Sequence, residues 1–368
     1  MKRTKIFAAY LPQYHETEDN NKFWGKGYTD WVAVRKAHPL FDGHLQPKTP
    51  KNEYYYDLSE VNTIRSQAKL AREYGIAGFN IYHYWFKDGK QALQKPAELL
   101  LANKDINIEF FFTWDNSSWI RSWSNINGNA WAPSFEKEAN KNENCLLEFA
   151  YGDKKQWELH FDYLLPFFKD ARYLKIDNKP VYMFFSGENI DILHMQKCWN
   201  DLAQKNGFNG VYFVTQQSHI KKKKCFVNAH FIYQPTYSGW GIRNQIYKRI
   251  NKYFKVNRKQ TKPIIFYYDD VWKKVLHTTK REIGAQVIPS GFVAYDDTPR
   301  RGNNGKVIVN ESPEKFGFYF RQLYELCCKY EKEFMLVTAW NEWGEGAYLE
   351  PDENDRIEYL KMIKNIVK

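Results

Sequence analysis

Two hydrophobic rhythms alternate along the whole chain. Short apolar runs rich in β-branched and aromatic residues are followed by stretches whose apolar positions recur every three or four residues, the signatures of buried strands and amphipathic helices. Runs at residues 6–11, 77–85, 108–114, 181–185, 211–214, 230–234, 291–295 and 334–340 are expected strands. After the first, a long polar and aromatic loop reaches about Tyr56. A helix then opens on Asp57-Leu58-Ser59-Glu60, read as an acidic capping box. Val61, Ile64, Ala68 and Ala71 form its buried stripe, and Gly75 closes it. A short helix surrounds 96–101, and a longer one shows Trp157, Phe161, Leu164, Leu165 and Phe168 on one face, with Pro166 ending or kinking it. Asp177-Asn178 turns a small hairpin into the fourth strand. Further helices are expected at 190–206, after the Ser312 N-cap and Pro313, and at 354–367, while 240–283 gives no clear rhythm.

Eight strands alternating with helices predict an α/β protein, a single (β/α)8 TIM barrel over residues 1–368 with long loops on its C-terminal face. The rival, an open doubly wound sheet, wants a glycine-rich phosphate turn after strand one. Leu11-Pro12-Gln13-Tyr14-His15 stands there instead, without a glycine.

Composition adds two facts. Aromatic residues make up 18% of the chain, including 13 Trp, beyond what a core alone requires. The formal charge is +11, which favours anionic partners such as phosphorylated sugars or an acidic membrane surface. Lys221–Lys224 and the stretch 248–262 carry much of it, and no RNP, zinc-finger or helix-turn-helix pattern supports nucleic acid. Five cysteines with no CxxC pair read as reduced thiols of a cytosolic protein. The apolar run after Met1-Lys2-Arg3-Thr4-Lys5 stops at Leu11, too short for a signal-peptide core. The expected location is cytoplasmic, with room for peripheral attachment at the inner membrane face.

Barrel chemistry stands at the C-terminal strand ends. Those ends hold Tyr10 and Gln13; His83, Tyr84 and Trp85; Trp114, Asp115, Asn116 and Trp119; Tyr237; Tyr295, Asp296 and Arg300; and Trp340, Asn341, Glu342, Trp343 and Glu345. The opposite loops, such as Lys104-Asp105-Ile106-Asn107, are plain. Aromatic rings beside amides and carboxylates suit sugars, because indole faces stack on pyranose rings while carboxylates exchange protons. Glu342 and Glu345 are the candidate catalytic pair. Residues i and i+3 of a strand face opposite ways, so the pair shares a cleft only if the chain turns after Trp343, which Gly344 and Gly346 permit. Otherwise one Glu is catalytic and the other pairs with Arg300 or Arg301. The histidines show no two-His spacing that reads as a metal motif, so neither a metal nor another cofactor is expected.

Together, Ala9-Tyr10-Leu11-Pro12-Gln13-Tyr14-His15, the segment from Trp24 to Trp31, Tyr82-His83-Tyr84-Trp85-Phe86 and Trp340-Asn341-Glu342-Trp343-Gly344-Glu345-Gly346 resemble the WbsX family. That family is described as glycosyltransferases of bacterial O-antigen and capsule synthesis. Its barrel is similar to glycoside hydrolase family 99, the endo-α-mannosidases. The resemblance implies that Glu342 takes the proton of the substrate's own 2-hydroxyl, giving a 1,2-anhydro sugar, and that Glu345 protonates the leaving oxygen. It departs from family 99 in the first-strand motif and at Gly344, where family 99 carries a larger residue.

The expectation is a retaining carbohydrate-active enzyme working on an oligosaccharide or lipid-linked glycan of surface-polysaccharide synthesis. Whether it transfers or hydrolyses stays open. The alternatives are a non-catalytic glycan-binding barrel and a basic scaffold recruited to a membrane.

Overall fold

The computed structural model describes residues 3–120, 145–186, 191–217, 227–242, 261–354 and 356–368. Trp123, Trp131, Ile190, Lys221–Lys224 and Cys225, and most of 248–262, lie outside the described residues.

The wall is built from β1 (Lys5–Tyr10), β2 (Gly78–Trp85), β3 (Glu109–Trp114), β4 (Lys179–Phe184), β5 (Tyr212–Gln217), β6 (Ala229–Ile232), β7 (Val287–Ile288 with Ser290–Phe292) and β8 (Phe334–Thr338). Neighbours pair in parallel, and β1 lies between β2 and β8. The ring closes through β7, which is in two pieces. Val287–Ile288 pairs with β6, and Ser290–Phe292 pairs with β8. Pro289 separates them because it has no N–H for a ladder, while its carbonyl still accepts from the Leu336 N–H at 3.1 Å. Outside the wall run α1 (Val61–Glu73), α2 (Lys95–Ala102), α3 (Lys154–Lys169), α4 (Asp191–Lys205), α5 (Tyr268–Glu282), α6 (Pro313–Lys329) and α7 (Ile357–Val367).

Strand alternation sorts the side chains. Phe7, Phe111 and Phe334 meet inside the barrel, with ring centroids 5.3–5.7 Å apart. Gly78 makes room for them, since a Cβ there would lie 2.3 Å from the Phe7 ring. Asn80 and Thr113 form the next inward pair, at 2.9 Å. The other phase, Phe110, Phe112 and Trp114, faces the helices and packs on Phe167, Tyr173 and His160.

Several local expectations need correction. No capping box forms at α1: Glu60 takes the N-cap position without a side-chain bond, and Asp57 instead accepts from the Ser59 N–H at 2.6 Å. Pro166 lies in the last turn of α3, which ends at Lys169. The seventh strand lies at 287–292 rather than 291–295, and the sixth stops at Ile232, before the Gln234-Pro235 bond. The unread stretch 240–283 contains a strand outside the barrel, Ile264–Tyr267, paired parallel to Lys306–Val309 and leading straight into α5. Val271, Trp272, Val275 and Leu276 form the buried stripe of α5, but the basic residues around them mask its period.

The mouth end of β8 is pinned to β1 by one side chain. Asn341 accepts from the Leu11 N–H at 2.8 Å and donates to the Leu11 carbonyl at 2.9 Å, all fully buried. Asn341→Ala strands both backbone groups. It should lower unfolding free energy by about 2–4 kcal/mol in denaturant titrations, at unchanged denaturant dependence.

Candidate active site

Beyond β8 the chain forms a tight hairpin in which Asn341–Glu342 pairs antiparallel with Ala347–Tyr348. Between them lies a 3₁₀ turn, Trp343–Glu345, closed by Gly346 at φ +59°. Residues i and i+3 eclipse in 3₁₀ geometry, so the turn swings Glu345 to the side that Glu342 faces. Two bonds fix Trp343, the first residue of the turn. Its N–H donates to the Tyr14 hydroxyl at 3.1 Å, and its indole Nε1 donates to Glu350 at 2.7 Å. Its ring stacks on Tyr348 at 3.7 Å.

Arg300 joins the two acids. It comes from the short helix Thr298–Arg301 beyond β7. Its Nη2 lies 2.8 Å from Glu342 Oε1 and 2.5 Å from Asp30 Oδ2, and its Nη1 lies 3.4 Å from Glu345 Oε1. Gly344 provides the space, because a Cβ there would sit 2.4 Å from Arg300 Nε. The Glu345 main chain is also held: its carbonyl accepts from the Asp296 N–H at 2.6 Å. Asp296 is anchored in turn by His44 at 2.8 Å, Gln46 at 2.7 Å and the Thr298 hydroxyl at 2.6 Å.

The two acids differ in setting. The Glu342 side chain is 7% exposed and the Glu345 side chain 22%. Burial drives the Glu342 carboxyl well above the usual carboxylate range. Arg300 opposes the rise without cancelling it, and the charges of Glu345 and Asp30 add to it. Asp297 is pushed up to about 6 by burial and then by Glu345. Asp115 also rises to about 6 through burial, against a hydrogen bond from Ser117. Asp296 goes the other way, since the bonds from His44 and Thr298 outweigh its burial. The hydroxyls of Tyr82 and Tyr233 are raised by burial and then by surrounding groups that include Glu342 and Glu345. A buried carboxyl of raised proton affinity beside a second, more accessible acid side chain can exchange protons with a polar ligand.

The remaining candidates divide by strand phase and loop. Glu342, Glu345 and Arg300 come together. Tyr295 stands close by, its hydroxyl 3.1 Å from Asp297. Tyr84 accepts from Gln13 at 3.0 Å and, like Asp115, sits beside Tyr82. His83 and Trp85 take the opposite phase and face the helix layer. His83 Nε2 meets His160 Nε2 at 2.8 Å, burial pushes its imidazole down to about 3, and Trp85 stacks on His160 at 4.3 Å. Trp114 packs there too.

Tyr10, Trp340 and Trp343 also point away from the mouth. Tyr10 donates to Gln67 of α1, Trp340 packs on Phe79, and both Trp rings are fully buried, leaving no open indole face. The amides of Asn341 and Asn116 are occupied by backbone, Asn116 accepting from the Ser186 N–H at 2.8 Å. Trp119 fills a satellite apolar cluster with Tyr84 and Phe86. The Tyr237 hydroxyl binds Glu282 at the end of α5.

Sequence reasoning left out Tyr82 and Tyr233, and it placed Tyr14 and Asp30 at the working end after strand one without giving them a role. Tyr82 was within reach. If alternation is phased from Asn80 and the apolar outward positions, Tyr82 and Tyr84 fall on the inside and His83 on the outside. Nothing in the sequence marks Asp30 as the partner of a residue 270 positions away.

A closed ring of parallel staves with carboxylates at its C-terminal mouth defines a (β/α)8-barrel protein built around an acid pair. The chain belongs to the family described as Glycosyltransferase WbsX, whose model matches residues 6–363. It is 25% identical over 355 residues to the uncharacterized protein WxcX of Xanthomonas campestris pv. campestris strain B100, covering 94% of this chain and 47% of that protein. The counterpart from a second strain is 24% identical over 357 residues. The chain thus spans about half the length of the curated relatives it matches. Among solved structures it is similar to a GH99 endo-α-mannosidase from Bacteroides thetaiotaomicron, at 12% identity and TM-score 0.55, covering 100% of this chain and 97% of that one. A glycoside hydrolase-like protein matches at 14% identity and TM-score 0.56, covering 100% and 95%. These likenesses establish the barrel fold.

Removing Arg300 leaves Asp30, Glu342 and Glu345 as mutually repelling buried acids. Arg300→Met should cost about 3–5 kcal/mol at neutral pH. The penalty should shrink as pH falls toward about 5, because the freed carboxyls take up protons and their repulsion disappears. Thermal melts of both proteins across that range check the sign.

Proposed function

We propose that this chain is one catalytic barrel of a carbohydrate-active enzyme that makes or cleaves glycosidic bonds with retention. Glu342 and Glu345 are its proton-transfer pair. The observation that supports the reading is the single guanidinium of Arg300 close to both carboxylates beyond the C-terminal end of β8. Family membership supports glycans as substrates.

In the first half-reaction Glu342 takes the proton of the sugar 2-hydroxyl, and that oxygen attacks C1. The bond from C1 to the leaving oxygen breaks, and Glu345 delivers its proton to that oxygen. The product is a 1,2-anhydro sugar. In the second half, Glu345 takes the proton of water or of an acceptor hydroxyl, whose oxygen bonds to C1. The C1–O2 bond opens, and O2 recovers its proton from Glu342. Two inversions at C1 give net retention. Burial raises the proton affinity of Glu342, which makes its ionised form a stronger base toward the 2-hydroxyl. The incoming hydroxyl decides between hydrolysis and transfer.

The proposed substrate is an oligosaccharide or lipid-linked glycan of bacterial surface polysaccharide. The proposed contact with a lipid-linked substrate is peripheral; among the described residues no helix is long and apolar enough to cross a membrane. The basic excess of the chain supports such contact.

The test incubates the protein with α-linked glycans and with sugar nucleotides, and follows both released and transferred sugar. Glu342→Gln and Glu345→Gln should each lower turnover by about 10²–10⁴-fold, with melting curves showing folded protein. Wild-type rates in both variants would end the proposal.

A further inference from the structure

A second buried carboxyl lies behind the acid pair, and the proposed reaction does not use it. Glu350 follows the hairpin, where its N–H and that of Leu349 both donate to the Trp340 carbonyl, at 3.3 and 2.9 Å. Its side chain sits among donors. Oε1 accepts from Gln67 Nε2 at 2.7 Å, and Oε2 accepts from the Tyr56 hydroxyl and from Trp343 Nε1, both at 2.7 Å. Gln67 is oriented by the Tyr10 hydroxyl, at 2.7 Å. Tyr56 is fixed by Trp31, whose indole donates to its carbonyl at 2.9 Å. Trp343 stands between Glu342 and Glu345 in sequence, so a displaced indole moves the turn that carries both.

We propose that Glu350 is a positioning residue for the Glu342/Glu345 pair, holding the 3₁₀ turn in register through the Trp343 indole. The inference rests on the acid–base reading above. The three donors match the carboxylate form. A protonated Glu350 must turn its O–H toward one of them, and the indole cannot reverse its role because Trp Nε1 only donates. Burial nonetheless pushes the Glu350 carboxyl up to about 7, against the hydrogen bonds from Trp343, Tyr56 and Gln67. The titratable groups facing it are Tyr10 and Tyr56, and burial raises both hydroxyls above their usual range, so both are neutral when Glu350 titrates. The turn therefore tightens as pH rises through neutrality and loosens below it.

Two independent readouts test this. In a ¹H–¹⁵N spectrum the Trp343 indole signal, assigned by its absence in Trp343→Phe, should shift with pH in wild type, with a midpoint near about 7, and stay fixed in Glu350→Gln. Tyr56→Phe keeps the ring but removes one donor to the charged form, so it should move the midpoint upward. A wild-type signal unmoved between about pH 5 and about pH 9, or a midpoint unchanged by Tyr56→Phe, overturns the proposal.

In turnover assays Glu350→Gln should lower kcat by about 10²-fold with KM nearly unchanged, and should abolish a limb that rises with pH. Trp343→Phe should match it, and the double variant should be no slower. Wild-type kcat in folded Glu350→Gln, or additive losses in the double variant, also overturns it. A wild-type protein inactive on every glycan would remove the acid–base reading, while the indole titration would still decide this one.

Discussion

The Arg300 guanidinium, wedged into the gap left by Gly344, is the constraint on which the mouth of the barrel depends. One cation faces Asp30, Glu342 and Glu345 at once. Carboxylates gathered away from water repel one another, and a single positive charge cannot neutralise them all. The system responds where solvent is scarcest, at Glu342, whose proton is held harder than an ordinary carboxyl holds it. Gly344 has a physical role at this mouth: the guanidinium fills the volume that a side chain there would take. The Asp296 bonds to His44, Gln46 and Thr298 then hold the strand-seven loop, and with it the origin of Arg300.

The aromatic excess has two fates. Among the described residues, Trp114, Trp199, Trp272, Trp340 and Trp343 are fully buried and serve as packing. The polar edges of Tyr82, Tyr233 and Tyr295 border the carboxylates instead. The side chains that border the carboxylates are therefore mainly hydroxyl-bearing, with the indole rings acting as buttresses. Trp343 shows the division clearly, since the motif that suggested a stacking platform contributes a strut between the acid turn and Glu350.

The fold was legible because strand and helix periods are strong in a barrel whose inner and outer layers are both apolar. The eight staves, the α1 stripe of Ile64, Ala68 and Ala71 and the Ser312 cap all appear in the structure. What failed had local causes. Pro289 breaks a ladder that the sequence pattern places a few residues later. Basic residues hide the apolar face of α5. At the site, the acid pair and Arg300 could be named from composition at strand ends, but the direction of each side chain could not. His83, Trp85 and Trp340 look like ligands in the sequence and are packing residues in space, because one step along a strand reverses the face. Asp30 and Glu350 stayed unassigned because their roles arise only from partners far away in the chain.

That separation also governs when the site comes into being on the ribosome. The acid-bearing hairpin is docked by Leu11, Tyr14, Tyr56 and Gln67, residues translated long before it. Contacts so remote in sequence form late and slowly. The acid pair therefore takes its place at the mouth only when the last stave meets the first.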